Sequence, residues 1–323
     1  MKRTHSLNHS AAFWTMAMLL GAGSFLPGDI SAAQRLFSSP EEAVKALQAA
    51  TEAQDKAALH DIFGPEYDQL LTGDVVQDQK NAARFAAAVA QACKPVPEGE
   101  DRVTLEVGTN NWPVPIPLLK AYGQWHFDTD AGKEEIILRH IGKDELHAIG
   151  VCRAYVKAQQ QYASADAGPD SSYALKFKST PGKKDGLYWP SAENQPASPF
   201  GPVVAAALTD GNVNNTSAGP QPFHGYFFRI LTGQGPAAHG GKKNYMSQGM
   251  LSGGFALVAY PERWDRSGIM TFIVNQDGVV YERNLGEKTS RIARKMEVYN
   301  PDINWKPAQD EGILSAVSEQ IIP

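Results

Sequence analysis

The period with which hydrophobic and polar positions alternate changes twice along the chain. In the first part of the chain this period is that of an α-helix. A first helix begins at Ser39-Pro40-Glu41-Glu42, which supplies a capping residue, a proline at the first helical position and a capping-box glutamate. A second short helix in DKAALHDIFG ends at Gly64-Pro65, and residues 78–93 are an alanine-rich third. The pattern therefore predicts three helices before residue 94.

The period then becomes that of β-strands. RVTLEVG, WPVPIPLLK and YGQWHFDTD each alternate between apolar and polar or proline positions. In WPVPIP every second residue is a proline, which suits an edge strand because proline cannot donate to a ladder. Residues 34–130 are thus predicted as helices followed by a small antiparallel sheet.

A long helical segment begins at Ala131. EEIILRHIG and DELHAIGVCRAYVKAQQQYA both show helical spacing, and Gly142 between them is a position where the helix breaks or kinks. Asp128 and Asp130 precede it and are explained as capping residues.

The remaining chain is turn-rich and then strand-like. Four strand candidates follow a proline-punctuated region: GYFFRILTG, GGFALVAYP, GIMTFIVN and GVVYERNL. The last 30 residues predict an edge element and a short helical tail. The predicted fold class is α+β, with one domain at 34–130 and a second, a long helix packed on an antiparallel sheet, at 131–323.

The first 33 residues have the pattern of a secretory signal peptide. MKRTHSLNH is basic, AAFWTMAMLLGAGSF is apolar and short, and Ser31 and Ala33 fit the small positions of a cleavage site before Gln34. Cleavage after Ala32 and an uncleaved anchor are the alternatives. We expect a periplasmic or secreted protein, processed near Ala33, with no transmembrane segment after processing.

Composition limits the partners. The chain has 30 Lys and Arg against 35 Asp and Glu, and the net charge of -5 argues against a nucleic-acid surface. An exported chain meets an oxidising compartment, so Cys93 and Cys152 form a possible disulfide, with two separate buried thiols as the alternative. Neither has the CxxC spacing of a redox or zinc site, so no catalytic cysteine is predicted.

A set of longer motifs carries a family resemblance over nearly the whole processed chain. These motifs are WPVPIPLL, WHFDTDAGKEEI, RHIGKDEL, AYVKAQQQYA, SPFGP, HGYFFRILTGQGP, GFALVAYP and TFIVNQDGVVYERNLG. Together they resemble the exported bacterial family catalogued as domain of unknown function 2950. That resemblance implies an exported bacterial setting, and because the family has no established activity it supplies no catalytic residues to carry over.

Two further resemblances concern the order of elements. The helix ending in AYVKAQQQYA, followed by GYFFRI, GFALVAYP and SGIMTFIVNQDGVVY, resembles the globular domains of type IV pilins and pseudopilins. The helix departs from a pilin helix because it is internal and charged, which puts filament assembly in doubt. Residues 39–130 resemble the nuclear transport factor-like fold.

Candidate sites were weighed against simpler explanations. GQGPAAHGGKKNY could cradle a phosphate beside Lys242 and Lys243, but it lacks a P-loop pattern and joins two strands, so a flexible loop explains it. His224 and His239 are candidate ligand-binding residues. They lack HExxH or HxH spacing, so no metal site and no cofactor are predicted.

The aromatic residues offer a second candidate. Tyr188 and Trp189 lie in a proline-flanked loop and could form a platform for a glycan or a peptide, whereas burial explains Tyr226, Phe227 and Phe228. No GxSxG motif is present, and no catalytic residue is assigned.

NQDG in TFIVNQDGVVYERNLG is either a metal loop or a β-turn. A metal loop needs several oxygen ligands at fixed offsets, and only Asn275 and Asp277 are well placed. A hairpin needs Asn, Asp and Gly at the turn, with Gly278 free to adopt positive φ. The sequence favours the hairpin.

The main functional hypothesis is a non-enzymatic, exported binding or interaction module whose partner is an unidentified envelope protein or glycan. One alternative is an envelope hydrolase assembled from His224, Arg229, His239 and Asp185, which is otherwise explained as a turn residue. Another is a pilin-related assembly partner.

Overall fold

The first part of the protein consists of three helices on a small sheet. The computed structural model describes residues 34–71, 75–165, 172–190, 198–201 and 222–308. The helices are α1 (Pro40–Glu52), α2 (Lys56–Phe63) and α3 (Val75–Gln91), with a 3-10 helix at Tyr67–Leu70. Ser39 caps α1 by accepting the Glu42 N–H, as predicted, while the Glu42 carboxylate accepts from Ser38, one residue earlier than the capping box predicts. The predicted signal peptide lies outside the described residues.

The first sheet is antiparallel and more broken than its sequence pattern suggests. Its strands are β1 (Cys93–Pro97), β2 (Arg102–Val107), β3 (Trp112–Pro113), β4 (Leu118–Ala121) and β5 (Gln124–Phe127). They pair in the order β1-β2-β4-β5, and β3 pairs with β2. The continuous edge strand predicted for WPVPIPLLK is wrong, since residues 114–117 belong to no strand. Pro115 and Pro117 lack the N–H groups that would continue a ladder.

A 37-residue helix, α4 (Thr129–Ala165), connects the two parts of the molecule. Asp128 caps it by accepting the Ala131 N–H, as predicted, whereas Asp130 pairs with Lys133 at 2.7 Å. The helix runs through Gly142 without the predicted break. Its first turns contact the first part, where Lys133 Nζ lies 3.0 Å from Glu66 Oε2 and the Arg139 guanidinium donates to the Pro113 carbonyl.

The second sheet contains the four predicted strands. These are β6 (Tyr226–Leu231), β11 (Ala256–Pro261), β12 (Met270–Asn275) and β13 (Tyr281–Asn284), with β15 (Lys306–Pro307) at the edge. They pair antiparallel in the order β15-β13-β12-β11-β6, and α4 packs on β11 and β12. The prediction of an α+β protein is therefore confirmed, as is an edge element near the C-terminus. The predicted helical tail lies beyond the described residues.

Short elements surround this sheet. β7 (Gly233–Gln234) pairs with β8 (Lys243–Asn244) and β14 (Val298–Tyr299), and β9 (Met246–Ser247) forms a hairpin with β10 (Met250–Leu251). A 3-10 turn at Gly286–Lys288 leads into α5 (Thr289–Arg294).

The NQDG stretch forms the hairpin turn between β12 and β13. Gly278 adopts φ +81°, and its N–H donates to the Asn275 carbonyl at 3.0 Å. The Asn275 amide also donates to the Asp277 carboxylate at 3.1 Å, and Asn275 is fully buried. The polar side chains thus stabilise the turn, as a hairpin predicts.

Two hydrophobic clusters form the core. The first draws its buried residues from positions 37–127, and the second from positions 148–305. Cys93 packs against the first cluster, while Cys152 is fully buried in the second. Both thiols are free, so the possible disulfide between them is not formed. Burial raises the pKa of Cys93 to about 11 and that of Cys152 to about 12, which makes both unreactive.

The domain boundary at residue 130 and the likeness to pilins and to the nuclear transport factor-like fold stay predictions. Among the described helices, α4 included, none combines the length and the apolar character needed to cross a bilayer.

Candidate metal centre

One face of α4 carries three residues with metal-binding side chains. His140, Asp144 and His147 follow each other at helical spacings of four and three, so they lie on one side of the helix. The Asp144 side chain is 4 % exposed, whereas that of His140 is 63 % exposed. The face therefore has a buried carboxylate at its centre and an exposed imidazole one turn earlier.

A second segment brings His224 to this face. His224 lies two residues before the start of β6 and adopts φ +45°, a left-handed conformation that is uncommon for residues other than glycine. Gly225 follows with φ +68° and lies so close to α4 that a Cβ atom on it would be 2.6 Å from Asp144 Oδ2. The absence of a side chain at Gly225 allows the loop to approach the carboxylate.

Asp144, His147 and His224 converge. One ligand atom from each residue lies within 4.8 Å of one from each of the others. The two imidazole rings stack with centroids 4.0 Å apart, at an interplanar angle of 30°. Asp144 Oδ2 and His147 Nδ1 are buried and make no hydrogen bond within the described structure. Because buried polar atoms are nearly always satisfied, two such atoms in one cluster are consistent with a bound ion or water between them.

Burial favours the neutral form of both imidazoles. Desolvation lowers the pKa of His147, and so do the neighbouring His224 and Lys143. Desolvation is also the largest cause that lowers the pKa of His224, although Asp144 opposes it. A neutral imidazole has a lone pair available for a metal ion. The cluster thus offers two imidazole nitrogens whose neutral form is favoured, next to the side-chain oxygens of Asp144, and these are the donor types that bind cations.

His140 belongs to the surroundings of the cluster. Its Nε2 lies 3.2 Å from Asp144 Oδ2, but without the geometry of a hydrogen bond. The Asp144 carboxylate beside it raises the pKa of His140. His140 is therefore an exposed neighbour of the carboxylate.

Glu145, next to Asp144 in sequence, has a different role. Its Oε1 accepts the backbone N–H groups of Ile269 and Met270, both at 2.9 Å. Burial raises the pKa of this carboxyl group, and the two hydrogen bonds oppose that effect. Tyr226, two residues after His224, donates its hydroxyl to the Met270 carbonyl at 2.9 Å. Both segments of the cluster are thus attached to the start of β12.

The Gly-rich loop around His239 is ordered by its own hydrogen bonds. Buried Gln234 donates to the carbonyls of His239 and Gly241 and accepts from the Tyr245 hydroxyl. Several loop N–H groups are also used within the fold, including that of Ala237, which donates to Asn300. The loop therefore offers little free backbone for a phosphate.

The other polar candidates lie in separate contacts. The Arg229 guanidinium donates to the carbonyls of Ala293 and Met296 and so caps the end of α5. The Asp185 carboxylate accepts from Lys176 at 2.8 Å and from the Thr180 N–H at 2.7 Å. Lys176 is the main cause that lowers the pKa of Asp185, and Thr180 adds to it. His224, Arg229, His239 and Asp185 share no partner among these contacts.

The aromatic residues that were candidates for ligand binding are only partly exposed to solvent. Tyr188 and Trp189 are half-buried, and the Lys184 ammonium lies 5.4 Å from the centre of the Trp189 ring. Tyr226 is fully buried and Phe228 nearly so, as predicted, whereas Phe227 is only half-buried. Two surface grooves occur elsewhere, one between α1 and α2 and one between the proline segment and the first turns of α4. A ligand-binding role for Tyr188 and Trp189 stays a prediction.

The sequence-based search missed Asp144 and His147. It looked for ligands spaced closely along the chain, whereas His224 is 77 positions after His147. The readable signal was HxxxDxxH on a predicted helix, which places three potential ligands on one face.

A family model described as "Protein of unknown function (DUF2950)" matches residues 34–308. The chain therefore belongs to this family. No curated protein and no solved structure matches it.

Proposed function

We propose that this member of the DUF2950 family is an exported binding module that holds a divalent transition-metal cation through Asp144, His147 and His224. One observation carries the proposal: ligand atoms from two distant segments lie within 4.8 Å of one another around a buried carboxylate oxygen without a hydrogen bond.

The energetics of the carboxylate support a bound cation. An ionised carboxylate that is removed from water costs several kcal/mol unless it is paired or coordinates a metal. The Glu145 carboxylate, one residue later, is satisfied by two backbone N–H groups, whereas Asp144 Oδ2 has none. The exposed His140 imidazole lies 3.2 Å from this oxygen, and a divalent cation between Asp144 and the imidazoles of His147 and His224 would add direct coordination.

The ligand set favours particular metals. Imidazole nitrogens suit Zn²⁺, Fe²⁺, Ni²⁺ and Cu²⁺, whereas Mg²⁺ and Ca²⁺ prefer sites made only of oxygen. Two histidines and one carboxylate also form a known set for Zn²⁺. We therefore expect Zn²⁺ to bind and Mg²⁺ not to compete with it.

The affinity for Zn²⁺ tests the proposal. In equilibrium dialysis, one Zn²⁺ per chain is expected, and His147→Ala or His224→Ala is expected to weaken binding by at least about 100-fold. Loss of an outer-shell partner alone costs about 10- to 100-fold, and these residues are assigned as direct ligands.

His239→Ala is the matched control, because His239 is exposed and its imidazole is outside the cluster. It should leave the affinity unchanged. Equal losses in all three variants, or no binding by the unaltered protein at millimolar Zn²⁺, would contradict the proposal.

Export is supported by the signal-peptide pattern of residues 1–33. The full chain, expressed in a bacterium that processes such signals, is expected in the periplasm or the medium. N-terminal sequencing should begin at Gln34, or at Ala33 if cleavage follows Ala32. Recovery of the intact N-terminus in the membrane fraction would instead indicate an uncleaved anchor.

The alternative functions differ in their support. A hydrolase built on His224, Arg229, His239 and Asp185 is poorly supported, because Arg229 and Asp185 have separate structural partners. A pilin-related assembly role, and a partner that is an envelope protein or a glycan, stay predictions.

A further inference from the structure

We infer that a cation held by Asp144, His147 and His224 keeps one coordination position open to solvent and, together with Lys143, binds a ligand that carries a carboxylate group. The inference rests on the proposed metal site and specifies what that site recognises.

The open position follows from the number and the burial of the ligands. Structural zinc sites are closed by four protein ligands, whereas sites that bind exogenous groups keep three. The described residues supply three, with Asp144 buried, His147 half-buried and His224 exposed. Glu145 is not a member of this cluster, and its Oε1 accepts from Ile269 and Met270 instead. The cation would therefore lie between the buried Asp144 and an exposed rim, which is the solvent-facing side of the cluster at His224.

Lys143 places a second positive charge beside this rim. It is three residues after His140 and four before His147, so it shares their face of α4. No ion pair of Lys143 occurs among the described residues, and the residue is half-buried. Its ammonium group would therefore gain a partner from a bound anion.

A metal ion and an ammonium group on the same side favour an anion with two oxygens. One carboxylate oxygen can occupy the open position while the other accepts from Lys143, and such charge-assisted hydrogen bonds are stronger than neutral ones. A neutral amide of the same shape binds a metal ion much more weakly through its oxygen, and it carries no negative charge that could pair with Lys143.

The competing arrangement is a closed site. His140 is 63 % exposed, and its Nε2 is 3.2 Å from Asp144 Oδ2. A change of its side-chain rotamer toward the cation would make it a fourth ligand and leave no position for an anion.

Cobalt substitution separates these possibilities. The full chain is loaded with Co²⁺, whose visible absorption reports coordination, and is titrated with acetate or with acetamide. We expect a saturable spectral change with acetate only. Lys143→Gln should retain Co²⁺ and weaken acetate binding about threefold or more, as for a partly exposed charge pair.

The experiment separates results that overturn the metal site itself from results that overturn only the binding of a carboxylate. If Co²⁺ does not bind, both the metal site and this inference are overturned. If Co²⁺ binds but acetate changes nothing, only the inference fails. An acetate response that is present only in His140→Ala assigns His140 as the fourth ligand and overturns the open position. An unchanged acetate affinity in Lys143→Gln overturns the role of Lys143.

Two sources of carboxylate are compared in the same assay. N-acetyl-Gly-Gly presents a peptide chain end, and its C-terminal amide is the control. Tighter binding of the free acid than of acetate would support a peptide terminus as the ligand, and equal binding would support a small organic acid. Response to the amide as strong as to the acid would overturn carboxylate recognition.

Discussion

Gly225→Ala is expected to destabilise the protein by about 2–5 kcal/mol and to weaken metal binding. A left-handed conformation costs a residue with a side chain about 1–2 kcal/mol, and overpacking adds about 1–3 kcal/mol. The new Cβ would lie 2.6 Å from Asp144 Oδ2 and 2.7 Å from Ser267 Cβ. It would therefore push the loop of His224 away from α4. Urea denaturation measures the first effect, and equilibrium dialysis with Zn²⁺ measures the second.

Gly278→Ala is the matched control for the backbone contribution. Gly278 has φ +81°, similar to the +68° of Gly225, but a Cβ there would meet nothing within 4 Å. The Gly278→Ala variant should be destabilised only by the conformational cost of a side chain at positive φ, and its affinity for Zn²⁺ should not change. If the two variants have equal stability and equal affinity, the close approach of Gly225 to Asp144 is wrong.

Glu145→Ala is expected to lower the free energy of unfolding by about 2–4 kcal/mol. The variant leaves the N–H groups of Ile269 and Met270 without their acceptor, and hydrogen bonds to a charged group each contribute about 1.5–3 kcal/mol. The cost of burying the charge, which is visible in its raised pKa, offsets part of that gain. Chemical denaturation at neutral pH measures the loss.

Two substitutions separate this structural role from metal binding. Glu145→Gln keeps an oxygen acceptor and should recover part of the stability, while Glu134→Ala, exposed on the same helix, should change it by less than about 0.5 kcal/mol. Folded Glu145→Gln protein should still bind Zn²⁺ with nearly unchanged affinity. A large loss of affinity with normal stability would mean that Glu145 is itself a ligand.

Local physics made much of the fold predictable. Ser39 and Asp128 cap helices in the structure because a short polar side chain before a helical run has few better partners. NQDG forms a turn because Gly278 tolerates positive φ. The prediction of a continuous strand in the proline segment was wrong. Alternation of apolar and polar residues reports only the direction of the side chains, whereas a β-ladder also needs backbone N–H groups, which Pro115 and Pro117 lack.

The candidate site was much less predictable. His224 was selected from the sequence, but its nearest metal-binding neighbours lie on α4, and only the packing of α4 on the sheet brings them together. Asp144 is one of several charged residues on α4, and its sequence position gives no sign that its side chain is buried. Its burial depends on the approach of Gly225 from a distant segment, which no local pattern encodes.

Because α4 is unbroken, it fixes the rotation and the distance of one half of the molecule relative to the other along the helix axis. About 55 Å long at 1.5 Å per residue, it contacts the first half through Lys133 and Arg139 and the second through Glu145 and Cys152. Each residue added between these contacts would turn everything beyond it by about 100° and advance it by about 1.5 Å. The number of residues from Arg139 to Glu145 therefore sets the rotation of one half of the molecule relative to the other, in addition to the chemical roles of the side chains in that stretch.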